Sequence, residues 1–246
     1  MNVYILDGTE NMFYSAVFFA YSDADCILSS AKNIQLTLDA RIITVEYEED
    51  KCERVKKKIA QYDPKALSDI ALILKRGCDT KEMTALQYIR LILKNRAPVR
   101  DQLSHPMVIE AMDERDKVTL EAHRFKGFLR FMEGDHGIMY APFSPDNDIL
   151  ELILPHFLRR LTTQPFIIHD TLRHKAALWN GKECAIAQTD DRISVRFSPD
   201  EENFQHLWQE YYCAVNIAQR PHEKQMKGYM PVRYWKFMPE KNPGLR

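Results

Sequence analysis

The sequence predicts an α+β fold: a mostly helical first half with a short sheet, then an antiparallel sheet with helices packed on one face. Two observations predict it. Between residues 48 and 122 the apolar side chains recur mainly at helical spacing. After residue 123 short β-branched or aromatic runs alternate with turn signals and amphipathic helices. We therefore expect a helical part over residues 1–118 and an α+β part over residues 119–246, joined in one compact unit.

The first half contains two predicted strands. "NVYILDG" is an apolar run that stops at the turn signal Asp7-Gly8, and "RIITVEY" clusters β-branched residues. Between these strands Thr9 is expected to cap an amphipathic helix. Further along, "TKEMTALQYIRLILKN" places Leu86 and Ile89 at the spacing that buries one face of a helix.

The second half begins with "HRFKGFLRF" at residues 123–131, which we predict to be a strand. Its residues alternate, so one face of the strand would carry the side chains of Arg124, Lys126, Phe128 and Arg130. "GIMYAPF" is expected to pair with it across "MEGDH". "PFIIHD" and the hairpin "AALWNGKECAI", with its turn at Asn180-Gly181, supply further strands.

The four letters "FSPD" occur twice, at residues 143–146 and 197–200. Serine is a natural N-cap and proline suits the first helical position, and Glu201 would complete a capping box with Ser198. A helix is predicted after each copy, with these apolar faces: Leu150, Ile153, Leu154, Phe157 and Leu161 in the first, and Phe204, Leu207, Trp208, Tyr211 and Val215 in the second. The repeat indicates either a duplicated hairpin–helix unit or two independent helix starts.

The composition limits the class of protein. The chain has 246 residues, of which 45% are hydrophobic and 28% charged, with a formal net charge of −1. This balance is typical of globular proteins, and a nearly neutral chain must bind any polyanion through a local patch. No apolar run is long enough for a bilayer and no signal peptide is evident, so we expect a cytoplasmic protein without membrane contact.

Metal and cofactor motifs are missing from the sequence. Its five cysteines are widely separated and lack the close spacing of zinc ribbons, redox pairs and iron–sulfur clusters. We expect most of them to be reduced and buried, with no metal and no cofactor. Nucleotide-binding loops, the G-x-S-x-G elbow and the H-E-x-x-H motif are also absent from the sequence.

The densest group of potentially catalytic side chains lies in "IIHDTLRHK", which contains His169, Asp170, Arg173 and His174. A His–Asp pair at a strand end can orient a base or bind a metal. Neighbouring residues on a strand point to opposite faces, which argues against a shared ligand. The alternative is a turn that Asp170 stabilises.

Basic and aromatic side chains are interleaved throughout the second half. The candidate nucleic-acid contacts are Arg124, Lys126, Phe128, Arg130, Arg159, Arg160, Arg173, Arg220, Arg233, Tyr234 and Trp235. Cations meet phosphates and aromatic faces stack on bases, so this combination is typical of nucleic-acid-binding surfaces. The alternative is structural: Arg159 and Arg160 would satisfy carbonyls at a helix end, and Tyr234 and Trp235 would close the core.

Several long stretches resemble one bacterial family: "VYILDGTENMFYSAVFFAY", "EAHRFKGFLRF", "YAPFSPDNDILELILPHFLRRL", "PFIIHDTLRHKAALW" and "EYYCAVNIAQRPHEKQMKGYMPVRYWKFMPE". The family is a domain of unknown function associated with DNA metabolism and repair. The resemblance implies a radical SAM protein, encoded beside it, as partner and as the carrier of any radical chemistry. Some relatives have a fused uracil-DNA-glycosylase-like domain, which we do not expect here because the chain ends at Arg246. The family pattern matches at Glu121, His123, Arg124, Gly127, Arg130, Phe131, His156, Arg159, Asp170, Arg173, Arg233 and Tyr234.

Three functional hypotheses follow. In the first, the protein binds DNA or another nucleic acid, or presents it, for the radical SAM partner. In the second, it is an enzyme acting on a nucleic-acid lesion or a nucleotide, with these acid–base candidates: Glu121, His123, His156, Asp170 and His174. In the third, its Met- and Trp-rich C-terminal segment docks a protein partner without touching nucleic acid. The sequence leaves the oligomeric state open.

Overall fold

The computed structural model describes residues 1–31, 39–190, 195–215 and 223–242. The chain divides into two compact units, Met1–Thr119 and Leu120–Arg246. Its architecture is α+β, as the sequence predicts. Within the described residues no helix is both long and apolar enough to cross a bilayer.

The first unit contains a parallel sheet in the order β2-β1-β3. Its elements are β1 (Asn2–Ile5), α1 (Glu10–Ala20), β2 (Cys26–Ser29), β3 (Arg41–Thr44), α2 (Glu49–Tyr62), α3 (Ala66–Leu74), α4 (Lys81–Asn95) and the start of α5 (Pro106–Phe128). The Thr9 hydroxyl accepts a hydrogen bond from the backbone N–H of Met12, which confirms the predicted cap of α1.

The helices of the first unit bury one face each into a core of their own. Phe13 and Tyr14 of α1, Ile59 of α2 and Ile89 of α4 are at most 1% exposed. The predicted spacing of Leu86 and Ile89 is confirmed, since both side chains are fully buried. Burying such side chains supplies the main favourable free energy of folding.

The second unit contains a five-stranded sheet in the order β4-β5-β6-β7-β8. Its elements are β4 (Met132–Glu133), β5 (Met139–Phe143), α6 (Leu150–Arg160), β6 (Phe166–Asp170), β7 (Lys175–Trp179), β8 (Cys184–Gln188), α7 (Glu201–Val215), α8 (Glu223–Tyr229) and two 3-10 turns, Asp135–Gly137 and Val232–Phe237. The predicted β7–β8 hairpin is confirmed, with the Asn180 side chain accepting hydrogen bonds from the N–H groups of Lys182 and Glu183.

This sheet is mixed rather than purely antiparallel. The β4–β5, β6–β7 and β7–β8 pairs are antiparallel, but β5 and β6 run parallel. The reason is the connection: α6 lies between β5 and β6 in the chain, and a helical crossover returns the chain in the same direction. The carboxyl ends of β5 and β6 therefore meet at one edge of the sheet.

The strand predicted at residues 123–131 is wrong, because α5 continues to Phe128. Val118, Ala122, Phe125 and Leu129 are all buried, and their spacing is that of a helix. A window of nine residues contains too few apolar positions to separate this period from alternation. Arg124, Lys126 and Phe128 consequently lie on a helix.

Neither "FSPD" copy starts a helix with its serine. α6 begins at Leu150 and α7 at Glu201, each later than predicted. The Ser198 hydroxyl donates to the Glu133 carboxylate, and the Glu201 carboxylate accepts from the Glu133 N–H, so the predicted capping box is replaced by contacts to β4. Tertiary hydrogen bonds have displaced local capping at this position.

The two helices that follow these segments differ in burial. The predicted apolar face of α6 is buried over Leu150–Phe157, at 7% exposure or less for its four core residues. The predicted face of α7 is exposed, between 38% at Trp208 and 58% at Leu207. Both predicted helices therefore have an apolar face, but only the face of α6 is buried.

Burial of the cysteines also differs from the prediction. Cys26 and Cys52 are buried, but Cys184 and Cys213 are exposed, and all five thiols are free. Cys184 begins β8, which lies at the edge of the sheet and has all five side chains exposed. Cys213 lies on the exposed helix α7.

Candidate nucleic-acid interface

A buried carboxylate organises the loop that follows β5. Glu121 of α5 is 3% exposed. Its Oε1 accepts a hydrogen bond from the Asp146 N–H at 3.1 Å, and its Oε2 accepts from both the N–H and the side-chain amide of Asn147, at 2.8 and 2.7 Å. Charge-assisted hydrogen bonds to a carboxylate are stronger than neutral ones, so Glu121 fixes the loop in place.

A second buried carboxylate holds the same loop from the end of β6. Asp170 is fully buried and accepts hydrogen bonds from the N–H groups of Leu172 and Arg173. The Arg173 guanidinium pairs with Asp170 at 3.1 Å and donates to the carbonyls of Pro145 and Asp146. Burial raises the pKa of Asp170 and the arginine opposes that rise. Arg173 thus ties the turn after β6 to the loop after β5.

The C-terminal segment completes this arrangement, which we call the loop anchor: Glu121, Asp146, Asp170, Arg173, Arg233 and Tyr234. The Tyr234 hydroxyl donates to Glu121 at 3.2 Å, and its ring packs 4.4 Å from that of Phe125. Burial, with the nearby Glu121 charge, raises the pKa of Tyr234 to about 12. The Arg233 Nε lies 2.9 Å from Asp146 Oδ2. All of these residues except Asp146 are predicted site residues, and each of the six forms at least one hydrogen bond or ion pair within the protein.

Two further predicted cations are also held by intramolecular contacts. Arg124 donates to the Gly228 carbonyl at 2.9 Å. Arg130 forms an ion pair with Glu240 at 2.6 Å, and its guanidinium carbon lies 5.3 Å from the ring centre of Trp208. Arg130 therefore positions an aromatic ring as well as carrying charge.

A groove of about 480 Å³ lies beside Arg130 in the second unit. Lys126 of α5 and Arg160 of α6 line it, together with the aromatic side chains of Phe131, Phe204 and Trp208. Glu201 contributes a carboxylate to its wall, but that group accepts the hydrogen bond from Glu133. We call this site the basic groove.

The pKa of His156 is affected by positively charged residues beside the basic groove. Its pKa is lowered first by burial and then by the charges of Lys126, Arg160 and Arg159. Within the described ranges no ion pair neutralises these three cations. Arg159 and Arg160 are exposed at the C-terminal turn of α6, where cations are favourable. Lys126, Arg159 and Arg160 thus act together on one histidine, and the Glu201 carboxylate lines the same groove as Lys126 and Arg160.

The predicted acid–base candidates do not all lie together. Glu121 and Asp170 meet at the loop anchor, where both are buried and fully engaged. His156 lies among the cations, and His123 is exposed on α5. His174 occupies a left-handed backbone conformation, φ 52°, in the turn between β6 and β7. The five candidates are therefore spread over α5, α6, the end of β6 and the turn that follows it.

His169 has a structural environment. The Tyr140 hydroxyl lies 2.8 Å from its Nδ1 and the Thr189 hydroxyl 3.2 Å from its Nε2. Burial lowers the pKa of His169, which favours the neutral ring. Among the described residues, no group of three or more His, Cys, Asp and Glu side chains is arranged to hold a metal ion.

The remaining predicted contacts and the residues that the sequence missed can be placed as follows. Trp235 is half-buried and donates its indole N–H to the Met230 carbonyl, and Phe128 packs near Tyr234. Arg220 lies outside the described residues. The sequence does not single out Trp208 as a site residue, because there it belongs only to the apolar face of a predicted helix, although the excess of aromatic residues on α7 is a usable signal.

Comparison with known proteins gives a family but no activity. A family model described as a domain of unknown function, DUF4130, matches residues 79–240. No curated protein matches the chain. No solved structure matches it either. The match covers the loop anchor and the basic groove.

Proposed function

The chain belongs to the DUF4130 family, a domain of unknown function, and from its residues we propose that it binds single-stranded nucleic acid in the basic groove. The observation that carries this proposal is the gathering of Lys126, Arg159 and Arg160 beside a groove walled by exposed aromatic rings. Proteins that bind single strands combine a cationic track for the backbone with aromatic faces for the bases.

Trp208 is an aromatic ring of the groove that neighbouring side chains hold in place. It is 38% exposed, stacks at 5.5 Å on Tyr211, and has the Arg130 guanidinium over its ring. These contacts hold the indole in one orientation before a base arrives, which lowers the entropy cost of binding. The groove therefore offers a preorganised stacking surface next to phosphate-binding cations.

The broader role is an accessory one in DNA repair or metabolism. The resemblance implies a radical SAM partner, and the exposed apolar residues Leu207, Tyr211 and Val215 of α7 support contact with a partner protein. In this proposal the basic groove holds the strand while the partner supplies the chemistry.

The test is binding of a fluorescent 12-nucleotide single strand, measured by anisotropy across a salt series. Replacing Lys126 and Arg160 by Ala should weaken binding and make the dependence of log affinity on log salt shallower by roughly 1.4, about 0.7 for each lost phosphate contact. Trp208→Ala should weaken binding by about 1–3 kcal/mol while leaving the salt slope unchanged, because stacking releases no counterions.

The matched control is Lys182→Ala, which removes an exposed cation from the β7–β8 turn. This variant should bind within about twofold of the unmodified protein. Binding that is absent at low salt would refute the proposal. Equal effects of Lys182→Ala and the groove substitutions would also refute it, since the attraction would then have no fixed location.

A further inference from the structure

The first unit has a second groove, which none of the comparisons assigns to a ligand. It has a volume of about 440 Å³ and lies between α1, α2 and α4. Val17, Val55 and Leu93 form its apolar floor. A volume of this size falls within the range of small-molecule sites in proteins, about 300–1,000 Å³.

The rim of this groove combines cations with aromatic rings. Arg54, Lys58 and Arg96 line it, and Asp50, which pairs with Arg54 at 3.8 Å, lies outside the described lining. The Arg54 guanidinium lies 5.1 Å from the ring centre of Phe18, and the Lys58 ammonium 4.8 Å from that of Tyr62. Cation–π contacts of this kind favour conformations in which the charged groups stay at the rim.

The backbone at Arg96 gives an independent reason to assign its side chain a role. Arg96 is the C-cap of α4 and adopts a left-handed conformation, φ 52° and ψ 35°. Glycine or asparagine normally occupies this position, because a larger side chain strains the backbone there. Local stability therefore disfavours arginine, and strained residues of this sort gather at functional sites.

We propose that this groove binds a nucleoside phosphate. The base would lie on the apolar floor against Tyr21, which lines the groove and is 39% exposed. Arg54, Lys58 and Arg96 would contact the phosphates, for which guanidinium groups are well matched. The charge of the rim is complementary to an anion, and the apolar floor is complementary to a ring attached to it. This inference goes beyond the proposed strand binding and does not rest on it.

Isothermal titration calorimetry of the full chain with dATP tests the proposal. One molecule of dATP should bind saturably to each chain. Deoxyadenosine, which lacks the phosphates, and inorganic tripolyphosphate, which lacks the base, should each bind at least about tenfold more weakly. Saturation missing up to about 5 mM dATP would overturn the proposal. Tripolyphosphate that binds as tightly as dATP would overturn it as well, since the floor would then be unused.

Arg96→Gly separates binding from folding. It should weaken dATP binding about tenfold while the melting temperature stays the same or rises, because glycine relieves the left-handed strain. Lys57→Ala, which removes the exposed cation next to Lys58 on α2, should change affinity by less than about twofold. Unchanged affinity in Arg96→Gly, or an equal loss in Lys57→Ala, would contradict the assignment.

A last variant distinguishes the two grooves. Replacing Lys126 and Arg160 by Ala should leave dATP binding intact if the nucleotide lies in the first unit. Loss of dATP binding in that variant would place the nucleotide in the basic groove and overturn the proposal.

Discussion

Glu121 illustrates how one carboxylate can determine the course of a loop. Three of the four hydrogen bonds that it accepts come from two consecutive residues, Asp146 and Asn147, and the fourth comes from Tyr234. Asn147 and Tyr234 are buried, at 3% and 4% exposure, so their donor groups depend on acceptors inside the protein. Leaving a buried polar group unsatisfied costs about 1–3 kcal/mol.

Glu121→Gln should therefore destabilise the second unit by about 2 kcal/mol. The substitution replaces one accepting oxygen with an NH2 group, which then faces hydrogen-bond donors. Urea denaturation followed by tryptophan fluorescence measures this change as a lower midpoint. Glu183→Gln, an exposed carboxylate in the β7–β8 turn, should lie within about 0.5 kcal/mol of the unmodified protein. Coinciding midpoints for Glu121→Gln and Glu183→Gln would show that the loop anchor is not stabilising.

At the scale of the element, α6 and α7 have similar sequence patterns but different surroundings. Ile153 of α6 is fully buried, whereas Leu207 of α7 is 58% exposed. Apolar residues at helical spacing predict that a helix has an apolar face, but they do not predict whether that face is buried in the protein. On α7 the face is available to a binding partner.

Ile153→Ala should destabilise the protein by about 2–4 kcal/mol, while Leu207→Ala should change its stability by less than about 0.5 kcal/mol. Chemical denaturation gives both values. Leu207→Lys should also fold normally and reduce co-purification with the radical SAM protein that the resemblance implies. Equal destabilisation by the two alanine substitutions would mean that α7 is buried in solution, and undiminished co-purification would remove α7 from the partner interface.

The sequence predicts local features of these elements better than their tertiary contacts. The Thr9 cap and the hairpin turn at Asn180 depend on residues close in the chain, and both were predictable. The "FSPD" segments predict helix starts, because nothing local reveals that Glu121, 25 residues before Asp146, accepts a hydrogen bond from the Asp146 N–H. The same limit applies to the basic groove: its cations were predicted, but the exposure of Trp208 depends on packing.

At the scale of the whole molecule, the two units have different spectroscopic signals. All three tryptophans, Trp179, Trp208 and Trp235, lie in the second unit, whereas helices occur in both. Tryptophan fluorescence therefore reports unfolding of the second unit, and far-UV circular dichroism reports both. The buried core of the first unit is made by its own side chains.

Ile89→Ala, in the core of the first unit, should lower the free energy of unfolding measured by circular dichroism by about 2–5 kcal/mol. The free energy of unfolding measured by tryptophan fluorescence should change much less. The physical reason is that the lost packing belongs to one core only. Comparing the two probes in one urea titration makes the measurement. Superimposable shifts in both signals would show that the chain unfolds as a single cooperative body.

The position of β8 has a practical consequence for work with the purified protein. This strand is at the edge of its sheet and carries an exposed thiol at Cys184. An edge strand offers backbone groups on which a second strand can assemble, and two edges that meet bring their thiols close to each other. Storage without a reducing agent would then allow air oxidation to fix such an encounter as a covalent crosslink. Cys184→Ser is accordingly the background in which affinity measurements with this protein are best made.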